Sequence, residues 1–227
     1  MTTSYIAKIQ LDPAAVQTVF PKVNPKIGKV KKMENLNGFV ECYNNFADYF
    51  GIDAPLEVAY FFSQVGHECD QFNAFEEYAS GEKYEGRKDL GNLYKGDGVK
   101  FKGHGALQTT GRTNHHLANE ALLKLDFLTP AEAALFKGDG AVKNPGLLSI
   151  PKWATLSAMI YWASKDLNRL CLPPDQNVTI RRFDKVKKWY DYTCKPNEAI
   201  TRKINGGVNG LEERIALFKK MSALLKI

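Results

Sequence analysis

The sequence predicts a mainly α-helical fold, with at most a small β-hairpin. Apolar residues recur at helical spacing along most of the chain, and convincing alternating strands are scarce. A stretch from Tyr78 to about Val99, rich in Gly, Lys, Asp and Tyr, interrupts the helices with little periodicity of its own. The 227 residues suffice for one domain, 1–227, with a sizeable core. Its first part, 1–50, reads as N-terminal helices with a basic loop, and 51–227 as the core, with an insertion near 173–198.

Asp12-Pro13 is a helix start, because proline at the first helical position gives up only an N–H that has no partner there. A short helix to about Phe20 comes next, then a Pro-, Gly- and Lys-rich stretch, Pro21 to Lys32, expected as a mobile basic loop. Leu36, Phe39, Val40, Tyr43, Phe46 and Phe50 define a second helix that ends at Gly51. Pro55 opens a third, apolar nearly all round through Val65, as expected of a buried central helix. From Tyr78 to Val99 aromatic residues keep appearing, so an ordered surface lobe is expected, and a small hairpin is placed near Phe101 to Thr110. Helices resume at His115 to Leu125, at Pro130 to Phe136, and at Pro151 to Cys171, the last with a stripe of Trp153, Leu156, Ile160, Ala163 and Leu167. The final helix starts near Leu211 and turns Ile215, Phe218, Ser222 and Leu225 inward.

No segment reaches the roughly 20 apolar residues that span a bilayer. MTTSYIAKIQLDPAAVQ lacks the basic start, apolar stretch and cleavage site of a secretory signal, so synthesis in the cytoplasm is expected, with action on any outer target after release. Cys42, Cys69, Cys171 and Cys194 show no CxxC spacing, which argues against a zinc ribbon or a redox pair; free thiols are the default, with a Cys171–Cys194 bridge as the lesser alternative. The net charge of +6 points to an anionic partner surface: nucleic acid, lipid or wall polymer.

Two acidic clusters carry the chemistry. Glu68 sits where the central helix hands over to an irregular segment, and Glu76-Glu77 stand beyond Phe72 and Phe75. A stretch of that length can turn back and present a second carboxylate across a cleft, the minimal equipment for glycoside hydrolysis. Gly103, Gly105 and Gly111 permit close backbone approach, and Gln108, Thr109, Thr110 and Asn114 offer neutral hydrogen-bonding groups suited to sugar hydroxyls and N-acetyl groups.

Five blocks, FGIDAPLEVAYFFSQVGHE, FEEYASGEKYEGRKDLGN, GDGVKFKGHGALQTTGRTNH, KNPGLLSIPKWATLSAMIYW and ITRKINGGVNGLEERIALFKK, resemble glycoside hydrolase family 19 in content and order, over roughly Phe50 to Lys226. The resemblance is greatest to the bacteriophage endolysins built on that chitinase-like, lysozyme-like fold, and it implies two helical lobes around a cleft. It implies Glu68 as general acid, Glu77 as general base and Thr110 as a holder of the attacking water. It implies substrate binding by Gln108, Asn114 and Asn205, with His67 and Arg214 in support. The implied reaction is an inverting displacement with no cofactor and no metal, in which Glu68 must carry a proton near neutral pH.

The family pattern is broken by Cys69, Asp70, His104 and His115, and by the long stretch Pro173 to Glu198, expected as a solvated hairpin or helix in preference to a wall-binding or membrane-active patch. Bacterial peptidoglycan is the expected partner of a monomeric enzyme, with chitin as the alternative and an anionic wall or outer-membrane surface as a further contact. A zinc amidase would use His67, His104, His115 and His116, but HExxH is absent because Gln71 holds its last place. A non-enzymatic wall binder would not need both acids, and no nucleic-acid recognition motif is present, so neither is expected.

Overall fold

The computed structural model describes residues 9–186 and 188–227. The first eight residues, which belong to the stretch without a secretory pattern, and Lys187 lie outside the described residues. The described chain is mainly helical with one two-stranded antiparallel sheet, as expected.

Helix α1 (Pro13–Val19) starts on Asp12, whose carboxylate accepts the N–H groups of Ala14 and Ala15. Helix α2 (Lys29–Phe46) begins inside the basic stretch, so the expected loop to Lys32 is corrected. Lys32 is fully buried, its ammonium donating to the Phe20 carbonyl, and a cation so held cannot belong to a mobile loop. Helix α3 (Pro55–Glu68) is held at its start by Glu57, which accepts from the N–H groups of Asp53 and Ala54 at 3.2 and 2.9 Å.

Every residue of α3 from Val58 to Gly66 is buried, which makes it the central element. Phe61 stacks on Phe39 of α2, and Phe62 meets Phe39 and Tyr43 edge-on. At Gly66 a Cβ would stand 2.2 Å from the Phe20 ring, so only glycine lets α3 pass that close. Truncating a buried ring here, such as Phe61→Ala, would cost about 3–5 kcal/mol.

Beyond α3 the chain enters a lobe of short turns containing α4 (Asp97–Lys100), ordered as expected by side-chain bonds to the backbone. Asp97 pairs with Arg112 through Nε at 2.9 Å, and Asn92 donates to the Tyr84 carbonyl. Then come α5 (Arg112–Leu123), α6 (Pro130–Phe136), α7 (Gly140–Lys143) and α8 (Pro151–Ser164). The expected helix to Cys171 stops at Ser164, where the chain turns through Asp166 at φ 51°. The expected stripe on α8 is also corrected: Trp153 to Met159 are all buried and Ala163 is exposed, because α8 is enclosed by α2 and the central core rather than lying on one face.

Strands β1 (Val178–Asp184) and β2 (Lys188–Cys194) form the hairpin, with Val178 opposite Cys194 and Asp184 opposite Lys188. It lies in the stretch 173–198, where a hairpin was one of the two forms expected. The hairpin expected at Phe101 to Thr110 is reduced to isolated bridges, Glu76 with His104 and His104 with Thr109. Helices α9 (Pro196–Asn205) and α10 (Leu211–Leu225) complete the chain. On α10 the buried residues are Arg214, Leu217, Phe218 and Met221 rather than the stripe expected through Ile215 and Ser222. The helix is rotated by about one residue because Arg214, which periodicity counts as polar, is fully buried. Phe218 stacks on Tyr60 with centroids 4.2 Å apart and fastens α10 to α3. All four cysteines are free and buried, in line with the default expectation.

Candidate active site

Glu68 is the last residue of α3, and beyond it the chain turns back sharply. Asp70, Gln71 and Phe72 have φ of 52°, 54° and 67°, three consecutive side-chain-bearing residues in the left-handed region. Each costs roughly 1–2 kcal/mol against ordinary backbone, so the tertiary structure must hold the turn. Phe72 is fully buried against Phe20 and Phe39. The Gln71 N–H donates to the Gly66 carbonyl at 2.6 Å, and Asp70 takes Lys22 at 2.5 Å and the Tyr78 hydroxyl at 2.9 Å. The turn brings Glu76, Glu77 and Tyr78 round to face the end of α3.

Glu68 and Glu77 therefore line one hollow of about 530 Å³, together with His67, Gln108 and Glu213. A second hollow, of about 490 Å³, is lined by Gln108, Thr110, Asn114, Tyr161 and Ile204 among others, so the two meet at Gln108. Gln108 sits at φ 53°, where its amide donates to the Gly105 carbonyl at 3.1 Å. The Thr110 hydroxyl donates to the Gln108 carbonyl at 2.9 Å, and Asn114 donates to the Thr110 carbonyl at 2.7 Å, tying the Q-x-T-x-x-x-N run into one piece. Asn205 ends α9, is exposed, and lines neither hollow, although its neighbour Ile204 lines the second.

The two carboxylates have different surroundings. Glu68 is paired with the guanidinium of Arg214, which is fully buried and also donates to Gln64 Oε1 at 2.7 Å. Gln64 reaches Thr201 on α9 at 3.4 Å, so α3, α9 and α10 share one buried polar network behind Glu68. Glu77 accepts from Lys83 at 2.9 Å, the Gly103 N–H at 3.1 Å and the Tyr84 hydroxyl at 3.2 Å. Burial pushes the Glu77 carboxyl up, but these donors outweigh it and hold it below the ordinary carboxylate range. An ionised carboxylate is the state a base requires.

His67 binds Glu213 at 2.7 Å and serves to fix α10 to the end of α3, a supporting role. The other histidines do not join it. His104 and His115 form a buried pair at 3.1 Å, and His116 meets Asp139 at 2.9 Å. Burial depresses both members of the pair, His115 to about 4. Among the described residues, His116, Glu120 and Asp139 could gather round a metal ion, with ligand atoms within 4.8 Å of one another; all three are exposed and none lines the hollow of the two acids.

Sequence reasoning missed Gln64, Lys83, Tyr84 and Glu213. Gln64 had a signal, as a polar side chain inside an otherwise apolar helix, whereas Lys83 and Glu213 look like any surface charge until the chain is folded.

No sequence model of a known protein family matches the chain. A Haemophilus influenzae protein described as glycosyl hydrolase family 19 domain-containing is 24% identical over 236 aligned positions, covering 97% of this chain and 96% of the relative. Chitinase C from Streptomyces griseus HUT6037 superposes with a TM-score of 0.56 at 16% identity, covering 95% of this chain and 76% of that one. A family 19, class IV chitinase from Zea mays superposes with a TM-score of 0.54 at 15% identity, covering 96% of this chain and 93% of that one. The fold is that of these chitinases, and the family 19 relative aligns over 97% of the chain, the five sequence blocks included.

Proposed function

We propose that this chain, a glycoside hydrolase of the family 19 type, cleaves the β-1,4 bonds of bacterial peptidoglycan by an inverting acid/base reaction, in the manner of an endolysin. The observation that carries the reading is that Glu68 and Glu77, nine positions apart in sequence, line one hollow with contrasting partners. Glu77, held ionised by Lys83, Tyr84 and Gly103, takes a proton from the attacking water. Glu68 gives its proton to the departing glycosidic oxygen, and Arg214 steadies the carboxylate that this leaves. Thr110 orients the water from the second hollow, while Gln108, where the two hollows meet, and Asn114, in the second, bind the N-acetyl sugar. The catalytic residues need no cofactor, the protein acts as a monomer, and it reaches the wall after release from the cytoplasm of the producing cell.

Cleavage of chitin is the second reading, favoured by the chitinase descriptions of the structural neighbours. Peptidoglycan is preferred because the five blocks resemble the phage enzymes. Incubation with purified wall and with chitin oligomers, followed by mass spectrometry of the fragments and NMR of the new anomeric centres, decides between them. Wall fragments with inverted reducing ends support the proposal. Products from chitin alone give the second reading, and products from neither polymer overturn both.

A further inference from the structure

The β1–β2 hairpin is anchored at its base. Val178, Ile180 and Cys194 are buried there, and Tyr192 donates its hydroxyl to Glu198 of α9 at 2.8 Å. Its outer half carries three exposed apolar residues: Phe183 is 56% exposed, Trp189 60% and Val186, at the tip, 88%. Phe183 and Trp189 face each other across the strands with ring centroids 5.4 Å apart, so the tip presents one aromatic pair with an aliphatic residue beyond it. Around it the charge is one-sided, with five lysines and arginines against two aspartates between positions 181 and 191. The Arg181 guanidinium lies over the Trp189 ring at 5.8 Å.

A hydrated polyanion such as wall polymer or nucleic acid would satisfy the cations but would leave Val186 and the ring pair in water. The interface of an anionic bilayer satisfies both. Apolar tip residues leave water, aromatic rings settle at headgroup depth, and the long cationic side chains reach the phosphates. From this combination we infer that the hairpin is a docking arm for anionic lipid membranes, independent of the glycan chemistry in the cleft.

The test uses the intact protein and its tryptophans. Trp153 and Trp162 are 4% and 0% exposed, so Trp189 is the one of the three whose emission answers to the surface. Vesicles of phosphatidylglycerol in phosphatidylcholine should shift this emission to the blue, and the shift should be far smaller on phosphatidylcholine alone. Trp189→Phe should remove it. Val186→Asp, at a position outside the core, should lower partitioning about tenfold or more, since a carboxylate forfeits the apolar transfer and is repelled by the surface. Cleavage of short soluble glycans should be unchanged in that variant. Emission indifferent to anionic vesicles, or Val186→Asp partitioning as well as the parent protein, would overturn the inference; retention on purified wall without any lipid response would make the hairpin a wall-docking arm instead.

Discussion

The two carboxylates of the cleft are positioned by two kinds of structure. Glu68 ends a helix whose residues from 58 to 66 are all buried, and its partner Arg214 comes from another core helix. Glu77 lies in a segment of turns and isolated bridges, and its partner Lys83 has a side chain that is 60% exposed. The first is fixed by apolar packing with a buried polar network behind it, the second by a set of local hydrogen bonds at the edge of solvent. Disturbing the helical side should therefore cost fold and activity together, while disturbing the other side should alter chemistry with little loss of stability.

The sharpest break of that comparison is Glu68→Gln, which keeps the shape and the Arg214 contact but cannot donate a proton. Turnover on wall should fall by about 10²- to 10⁴-fold, and near-normal turnover would remove Glu68 from the acid role. Next is Arg214→Met, which leaves Gln64 Oε1 and Glu68 without their shared cation. Losing one partner of a buried pair costs about 3–5 kcal/mol, to be read by denaturant unfolding; a loss below about 1 kcal/mol, the scale of an exposed pair, would show that the network is not what steadies the helical side.

On the side of Glu77, where His104 bridges Glu76, the buried His104–His115 pair responds to pH. His115 is depressed from 6.5 to about 4, so between those values the unfolded chain binds a proton that the folded chain refuses. Stability from this group is complete above pH 6.5 and is lost as pH falls towards 4, by roughly 3 kcal/mol at most. NMR of the His115 ring should find it neutral at about pH 5.5, and titration near its ordinary value would contradict the burial.

The smallest effect is expected from Lys83→Met. Removing the ammonium removes a donor that holds the Glu77 carboxyl down, so the acid limb of kcat/KM should move to higher pH while the unfolding midpoint barely changes. An unmoved limb with a lower midpoint would mean that Lys83 supports the lobe rather than the base.

The sequence by itself determined most of the longer helices, though not α9, and the central place of α3, because a run apolar on all sides can only be buried; it also singled out, after that run, the two acids that line one hollow. The resemblance pointed to Arg214 beside the acids, and the structure pairs it with Glu68; the burial of Arg214 and the Lys83 and Tyr84 partners of Glu77 were not legible. Periodicity assigns Arg214 to the surface and so rotates α10 by about one residue, yet its contacts with Gln64 and Glu68 bury it completely. The hairpin expected at Phe101–Thr110 is reduced to isolated bridges for a related reason: the alternation there is broken by glycines, and the contacts of Glu76 and Thr109 with His104 decide how that strip lies. The turn at Asp70, Gln71 and Phe72 is invisible to local propensity, which disfavours left-handed backbone in all three. Tertiary structure alone imposes it, because the burial of Phe72 and the contacts of Asp70 with Lys22 and Tyr78 offset the strain and bring Glu77 opposite Glu68.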